Sequence, residues 1–445
     1  HLNPKIGKSP PLLWYLFLRP SGPAAGTMQY MIVLVGMLVL VSAILAALGF
    51  RGRPQVVGID LGTTFSVVAM RATDGVISVI PDHITGKQLL PSVVTIMENG
   101  TVVVGDRAVE LRGAHPERTI FNAKRFMGKT LGEVSLDKDN HPYRVLSNFT
   151  STSDESKAAN SSGPAGFAIA LEKGQERWFS PIDIGAEVVG HIRESIQKHL
   201  GFGIRNVVIC VPAKFTYAQT KATQEAFEQA GFKVARVLEE PTAAAVAYNL
   251  HQGTGVRYVL VYDIGGGTLD TSLLYMNGRS VSVLGVAGDD HLGGSDFDVQ
   301  TRLLLESKLD TAPSMEHSEL AKESCDSTGL HILAEAVKIR LSIERSVETR
   351  CHHADGQDRI LVTSREEFED ATAELFGRAM APVDKVLSDQ MMKPADVSDI
   401  VLVGGASRTP KLRTLLQDYF GPQKSLHTEI DPDITVAWGA ASILQ

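Results

Sequence analysis

Two stretches decide how this chain is read: "IDLGTTFS", Ile59–Ser66, and "YDIGGGTLD", Tyr262–Asp270. Each runs from apolar residues into an aspartate, a glycine turn and a threonine, then back into apolar residues. One such turn is an ordinary hairpin with a polar tip. Two copies far apart in a chain of 445 residues imply two equivalent halves.

A glycine turn presents backbone N–H donors and lets the chain approach a ligand closely. Gly62, Thr63 and Thr64 form one such cradle, and Gly265, Gly266, Gly267 and Thr268 form the other. Two facing anion cradles suit a polyphosphate. Asp60 and Asp263 stand just ahead of them. Carboxylates beside phosphates usually act through a divalent cation, and Mg2+ prefers oxygen ligands while keeping some of its waters. The reading is a nucleotide in a cleft between the halves; a duplication that binds nothing is the alternative.

The rest of the body alternates strands and helices. "DIGAEVVGHIRESIQKHLG" has apolar residues at helical spacing and a terminal glycine. "RNVVICVP" reads as a strand and "TYAQTKATQEAFEQAG" as a helix. "VARVLEEP" leads into the Ala-rich helix "TAAAVAYNL", and "GLHILAEAVKIRLSIER" reads as an amphipathic helix. "DIVLVGGASRTPKLRTLLQDYFG" reads as strand, glycine turn and helix. Such alternation gives an α/β body.

The net charge is −8, with no basic block, which argues against nucleic acid as the main ligand. Cys210, Cys325 and Cys351 form neither a disulfide framework nor a zinc spacing. Cys210, inside "NVVICVP", reads as a small buried hydrophobe.

"MQYMIVLVGMLVLVSAILAALGFRG" begins at Met28 and is uncharged until Arg51. It is long and apolar enough for a bilayer and ends in small residues, so residues 28–53 read as a signal peptide or a retained anchor. It is the only membrane contact expected. Residues 1–27 are an upstream segment of uncertain status. Three N-x-[ST] triplets begin at Asn99, Asn148 and Asn160. The last two lie in a Ser-rich stretch that reads as an exposed loop. Sequons behind an export signal fit a lumenal glycoprotein.

The motifs "GIDLGTTFS", "NAKRFMG", "VPAKFTYAQ", "EEPTAAAVAY", "YDIGGGTLD", "GDDHLGGSDFD", "VLVGGASRTP" and "DPDITVAWGAA" resemble those of the seventy-kilodalton heat-shock chaperones. The resemblance runs from Val56 to the C-terminus. It is nearest in form to microsomal members in which the nucleotide-binding domain stands alone. It implies an actin-like ATPase fold of two duplicated lobes with a nucleotide cleft between them. Residues 54–245 would be lobe I and 246–445 lobe II, with the last residues returning to lobe I.

The resemblance also implies roles. Lys124 would orient the attacking water and offset charge on the γ-phosphate. Asp60, Asp263 and Glu240 would hold Mg2+, mostly through water, and Asp263 and Glu240 would also serve catalysis. Thr63 and Thr268 would bond the terminal phosphates, Thr268 also counting among the catalytic residues, and Asp270 would be a further carboxylate near the cation. Glu335, Lys338 and Ser342, at helical spacing, would read ribose and adenine. Gly404 and Gly405 would allow close backbone approach, Arg408 would lie on the adenine, and Asp433 would stand behind the nucleoside.

The implied cofactors are ATP/ADP with Mg2+, and K+ as an optional further ion. The implied partners are nucleotide, cochaperones and exchange factors. The expected activity is peptide-independent ATP hydrolysis in the endoplasmic reticulum lumen, by a stress-response chaperone relative without a peptide clamp. Alternatives are a nucleotide-dependent adaptor or cochaperone scaffold without turnover and, less in keeping with "EEPTAAAVAY", a sugar-kinase-like phosphotransferase. Departures from the family pattern cluster at positions of interdomain coupling: Lys214 in "PAKF", Thr220 and Glu239. Arg236 and Thr242 of that surface keep the pattern.

Overall fold

The structure is a computed structural model. It describes residues 23–47, 56–72, 74–134, 141–147, 162–252, 255–316, 321 and 323–443, with side chains for 30–44 in the first stretch. The chain divides into two compact units, residues 1–53 and 54–445. In the first, α1 (Pro23–Ala47) covers the apolar segment. Its described side chains are apolar and exposed. With side chains described only for residues 30–44 of α1, no helix among the described residues is long and apolar enough to cross a membrane, and the reading of 28–53 extends beyond them.

The second unit is built on two five-strand paths of identical plan. In the first, β1 (Val56–Leu61), β2 (Phe65–Arg71) and β3 (Ile77–Val79) form an antiparallel meander. Helix α2 (Pro181–Leu200) leads to β4 (Asn206–Val211), which pairs parallel to β1. Helix α3 (Tyr217–Gln229) leads to β5 (Lys233–Glu239), parallel to β4. Helix α4 (Glu240–Ala247) follows at once.

The second path restarts the pattern. β6 (Val256–Ile264), β7 (Leu269–Asn277) and β8 (Ser280–Asp289) form its meander. Helices α5 (Gly294–Lys308), α6 (Ser327–Leu341) and α7 (Ala373–Asp389) intervene before β9 (Asp399–Val403), which pairs parallel to β6. Helix α8 (Pro410–Phe420) leads to β10 (Ser425–His427), parallel to β9. The orders are β5-β4-β1-β2-β3 and β8-β7-β6-β9-β10, so β1 and β6 are equivalent central strands. The final helix, α9 (Thr435–Ser442), packs on α4, β1 and β2.

Strand alternation divides the core. Val57 and Ile59 of β1 pack with Ile184, Val188 and Phe227 of α2 and α3. In the second sheet Leu260, Tyr262 and Ile264 face the apolar sides of α5, α6 and α7. Val208 of β4, Ala244 of α4 and Val259 of β6 share one cluster, so α4 is wedged between the two sheets. Its run of buried alanines lets both sheets approach it. That wedge is what places Glu240, its first residue, in the cleft.

The helix ends follow their local chemistry. Ser180 and Asp183 form a reciprocal capping box at the start of α2, and Gly201 closes it in the left-handed region at φ 73°. Thr216 and Gln219 do the same for the start of α3.

The reading of the cysteines is corrected. Cys325 and Cys351 form a disulfide, with Cα atoms 5.0 Å apart. Spacing could not reveal it, because it depends on strand register. Strand Glu323–Ser324 pairs parallel to Ser346–His352, setting Glu323 opposite Cys351, and the Cys325 N–H donates to the His352 carbonyl at 2.8 Å. Cys210 is a buried free thiol, as expected.

Of the three sequons, Asn99 lies exposed in a turn, its side-chain oxygen accepting from the Thr101 N–H at 2.9 Å. Asn148 and Asn160 lie outside the described residues. The strands flanking that stretch, Arg144–Ser147 and Ala165–Ala170, pair antiparallel.

Candidate active site

The duplicated sheets present equivalent hairpin tips. Asp60 is next to last on β1, and its turn holds Gly62, Thr63 and Thr64. Asp263 is next to last on β6, and its turn holds Gly265, Gly266, Gly267 and Thr268. The parallel neighbours β4 and β9 end beside them, delivering "PAKF" and "GGAS". Ligands in open α/β sheets bind at such carboxyl ends of strands.

The two tips meet. A Cβ on Gly266 would lie 2.4 Å from Thr64 Oγ1, so only glycine permits this approach. Loop two is braced by its own bond from Gly265 N–H to the Thr268 carbonyl at 3.0 Å. The start of α5 backs it, with Gly294 N–H donating to Gly265 O at 2.9 Å. Arg125, beside Lys124, donates to the Gly267 carbonyl and so ties the two lobes together.

Lys124 lies on a short 3-10 turn, Ala123–Phe126, entered through Asn122 in the left-handed region at φ 57°. Its Nζ donates to Glu240 Oε1 at 2.7 Å, and both side chains are largely buried. Lys124 shares a pocket with Gly62 and Ser92, while Glu240, Asp263 and Asp270 line the adjoining one. The site residues drawn from scattered motifs therefore converge.

Burial pushes the Asp60 carboxyl up to about 7; Lys124 pulls it down and Glu240 pushes it further up. Asp263 is raised well above the carboxylate range, by burial first and then by Glu240, Asp270 and Asp60. Burial opposes the charge on Lys124, but Glu240 and Asp60 hold its ammonium above the usual value.

A carboxyl raised in the fold binds protons more tightly there than in the unfolded chain. Its stabilising contribution is present below the unfolded value and is lost as pH rises through about 7. We expect Asp60→Asn to raise the unfolding midpoint of the ligand-free protein at pH 7.5, and the difference from wild type to vanish near pH 4. Thermal unfolding across that range checks it; parallel pH profiles would refute it.

The donor set fits a divalent cation. Four carboxylates, Asp60, Glu240, Asp263 and Asp270, face two ammonium groups, Lys124 and Lys214. Asp60 Oδ1 is buried with no hydrogen-bond partner among the described residues. An all-oxygen set with an orphaned oxygen matches the demands of Mg2+.

Lys214 was not among the expected site residues. Its Nζ lies 2.9 Å from Asp270 Oδ1 and also bonds Asp290. It is a cleft cation as well as a departure from the family pattern. Asp270 is thus already paired, in contrast to Asp60. Glu239 and Arg236 of β5 are exposed.

The adenosine-end candidates gather behind loop two. Gly404 adopts φ 78°, and a Cβ there would lie 2.3 Å from the Ile264 carbonyl. Arg408 reaches Asp431 and, at 3.2 Å, Asp433. Burial pushes the Asp433 carboxyl up against the pull of Arg408. A Cβ on Gly405 would meet Asp433 Oδ1 at 2.9 Å. Lys338 of α6 binds Asp298 Oδ1 at 2.7 Å and the Gly294 carbonyl at 3.0 Å, which places it beside loop two. Ser342 caps α6 and donates to the Lys338 carbonyl at 3.3 Å, and Glu335 is exposed on that helix. Sequence reasoning missed Arg125 and Asp298, although both lie inside quoted motifs.

Comparison with known proteins agrees with this architecture. The family described as "Hsp70 protein" matches residues 56–445. The rice (Oryza sativa subsp. japonica) "Heat shock 70 kDa protein BIP3" is 35% identical over 390 residues, 87% of this chain and 56% of its own length. The "Chaperone protein HscA homolog" of Chromobacterium violaceum is 37% identical over 386 residues, 86% of this chain and 57% of its own length. The chain spans a little over half the length of these relatives. Its body has the family's actin-like ATPase fold. With the match beginning at the first strand of the duplicated sheets and covering both halves, this chain belongs to the Hsp70 family.

Proposed function

We propose that residues 56–445 bind ATP between the two glycine loops and hydrolyse it. The observation that carries this is the buried Lys124–Glu240 pair, flanked by Asp60 and Asp263 where the loops meet. Gly62–Thr64 and Gly266–Thr268 direct backbone donors and hydroxyls at the phosphates, on a loop braced by the Gly265 N–H. Bound Mg2+ would neutralise phosphate charge, held by Asp60, Asp263 and Glu240, mostly through water. Lys124 orients the attacking water and stabilises charge developing on the γ-phosphate. Asp263 and Glu240 accept hydrogen bonds that keep the water in line. Arg408, Lys338, Ser342, Glu335 and Asp433 hold the nucleoside. Phosphate release by the purified chain with Mg2+–ATP tests this reading; binding without turnover would leave the scaffold role instead.

Basal turnover should be indifferent to unfolded peptide. Stimulation requires peptide to favour one of two states. Lys214, at a coupling position of the family pattern, is engaged within the cleft by Asp270 and Asp290. A peptide titration of turnover checks this, and a several-fold rise would defeat it.

The secretory pathway is the proposed location, with cochaperones or exchange factors as partners there. The Cys325–Cys351 bridge supports it, since such bonds persist in oxidising compartments. The exposed Asn99 sequon supports it too. Protein isolated from cells should yield a Cys325–Cys351 linked peptide and shift in mobility on deglycosylation. Free thiols at both positions, with no glycan, would place it elsewhere.

A further inference from the structure

A second cluster of ligating side chains lies outside the nucleotide machinery. It joins the loop after β3 to one face of α2. Asp82 and His83 come from the loop; His191, Glu194 and Ser195 come from α2, at spacings that share a helix face. The side chains of Asp82, His83 and His191 are only 3%, 8% and 11% exposed.

The loop aims one carboxylate oxygen. Asp82 Oδ2 accepts from Ile84 N–H at 3.2 Å, Thr85 N–H at 2.8 Å and the Thr85 hydroxyl at 2.8 Å. That leaves Oδ1 facing α2, 2.6 Å from His191 Nε2 and 3.7 Å from His83 Nδ1. The two imidazole rings are 4.8 Å apart. The Ser195 hydroxyl is 2.9 Å from His83 Nδ1 and 3.5 Å from Asp82 Oδ1. On the far side of its ring, His83 Nε2 faces Glu194 Oε2 at 3.8 Å.

We propose that Asp82 Oδ1, His83 Nδ1 and His191 Nε2 form a binding site for a divalent transition ion of the zinc class, clamping this loop onto α2. The three atoms lie within 4.8 Å of one another. Tetrahedral zinc with bonds of about 2.0–2.2 Å needs donors roughly 3.3 Å apart. The His191–Asp82 bond would open and its proton leave as the ion enters, while the two imidazole donors draw together from within 4.8 Å by rotamer adjustment. The Ser195 hydroxyl, 2.9 Å from His83 Nδ1 and donating to the His191 carbonyl at 3.2 Å, is the neighbouring oxygen for a fourth position. Two imidazoles and a carboxylate favour zinc over the hard cations Mg2+ and Ca2+.

The surroundings support the ligand. Thr85 and Ile84 orient the carboxylate, and Glu194 can accept the His83 Nε2–H, the arrangement that fixes a metal-binding tautomer. Burial opposes ionisation of Asp82, yet the His191 bond and the Thr85 donors hold its carboxyl at about 2. Burial, His191 and Lys198 push the His83 imidazole down against the pull of Asp82 and Glu194.

The test uses the full chain, stripped of metal, titrated with Zn2+ against a chromophoric chelator; Co2+ absorption serves as a geometry probe. One ion per chain, a four-coordinate Co2+ spectrum and a Zn2+-dependent rise in unfolding temperature are expected. His83→Gln and His191→Gln should each abolish the Co2+ spectrum. Glu194→Gln should keep the stoichiometry and weaken affinity by roughly 10–100-fold. Far-ultraviolet circular dichroism and unfolding of the metal-free variants confirm that they fold, and Glu194→Gln serves should either histidine variant not fold. No binding would reduce the cluster to a hydrogen-bonded His–Asp pair. Binding unchanged in all three variants would place the ion elsewhere. Either result overturns the proposal.

Discussion

Replacing Lys124 with alanine should lower ATP turnover by roughly 10²–10³-fold while nucleotide affinity stays within a few-fold of wild type. The scale is that of one preorganised donor aimed at developing charge, roughly 2.7–4 kcal/mol of barrier. Lys124 is preorganised because Glu240 holds its Nζ at 2.7 Å and the surrounding protein buries it. On the proposed reading, affinity is set mainly by the two loops and the nucleoside-end residues, which the change does not touch. Removing the ammonium takes away the charge that pulls the Asp60 carboxyl down, so in the ligand-free variant Asp60 should keep its proton to higher pH. Lys124→Met keeps more of the side-chain volume and separates loss of charge from loss of packing. Single-turnover measurement with bound ATP reads the chemical step directly. Wild-type turnover in both variants would remove Lys124 from the mechanism.

The mildest possible substitution at Gly439 should be severe. Gly439 lies inside α9, where alanine would normally gain about 1 kcal/mol of helix propensity. Here the added Cβ would lie 1.8 Å from the carbonyl oxygen of Ala243 and 2.5 Å from its carbon. Those atoms are the backbone of α4 and cannot rotate away. The two helices must separate, against sheets packed on both sides of α4. Overpacking of this kind costs about 1–3 kcal/mol, and more where only backbone can yield, so the clash outweighs the propensity gain. Displacing α4 also displaces Glu240 at its start. We expect Gly439→Ala to lower the denaturant midpoint clearly and to weaken turnover, although the atoms nearest its Cβ position all belong to Ala243. A midpoint at or above wild type would show that the helices accommodate the methyl group.

The two loops of the candidate site were legible in sequence because they are local, whereas Lys124, Glu240 and the nucleoside-end residues came only with the family resemblance. A strand ending in aspartate and followed by a glycine turn specifies a hairpin tip whatever surrounds it, so Asp60, Asp263 and both loops could be read directly. The duplication was visible for the same reason, and the sheets confirm it strand for strand. The helical face of Lys338 and Ser342 also followed from spacing. What could not be read locally was partnership. "NAKRF" contains Arg125 as plainly as Lys124, but only the meeting of the lobes shows that Arg125 reaches the Gly267 carbonyl.

The sequence by itself determined the α/β body, the two equivalent halves and the residue types at the two loop tips, because strand period, glycine turns and helix caps act over a few residues. Tertiary structure alone decided which distant groups share a space. Lys214 meets Asp270 across two β-strand ends, Asp82 meets His191 across 109 residues, and Cys325 meets Cys351 through a strand register that the spacing does not encode. The same packing wedges α4 between the sheets and so carries Glu240 to Lys124. Such contacts depend on register and on the fit of buried surfaces summed over the whole core, and no short stretch of chain contains that information.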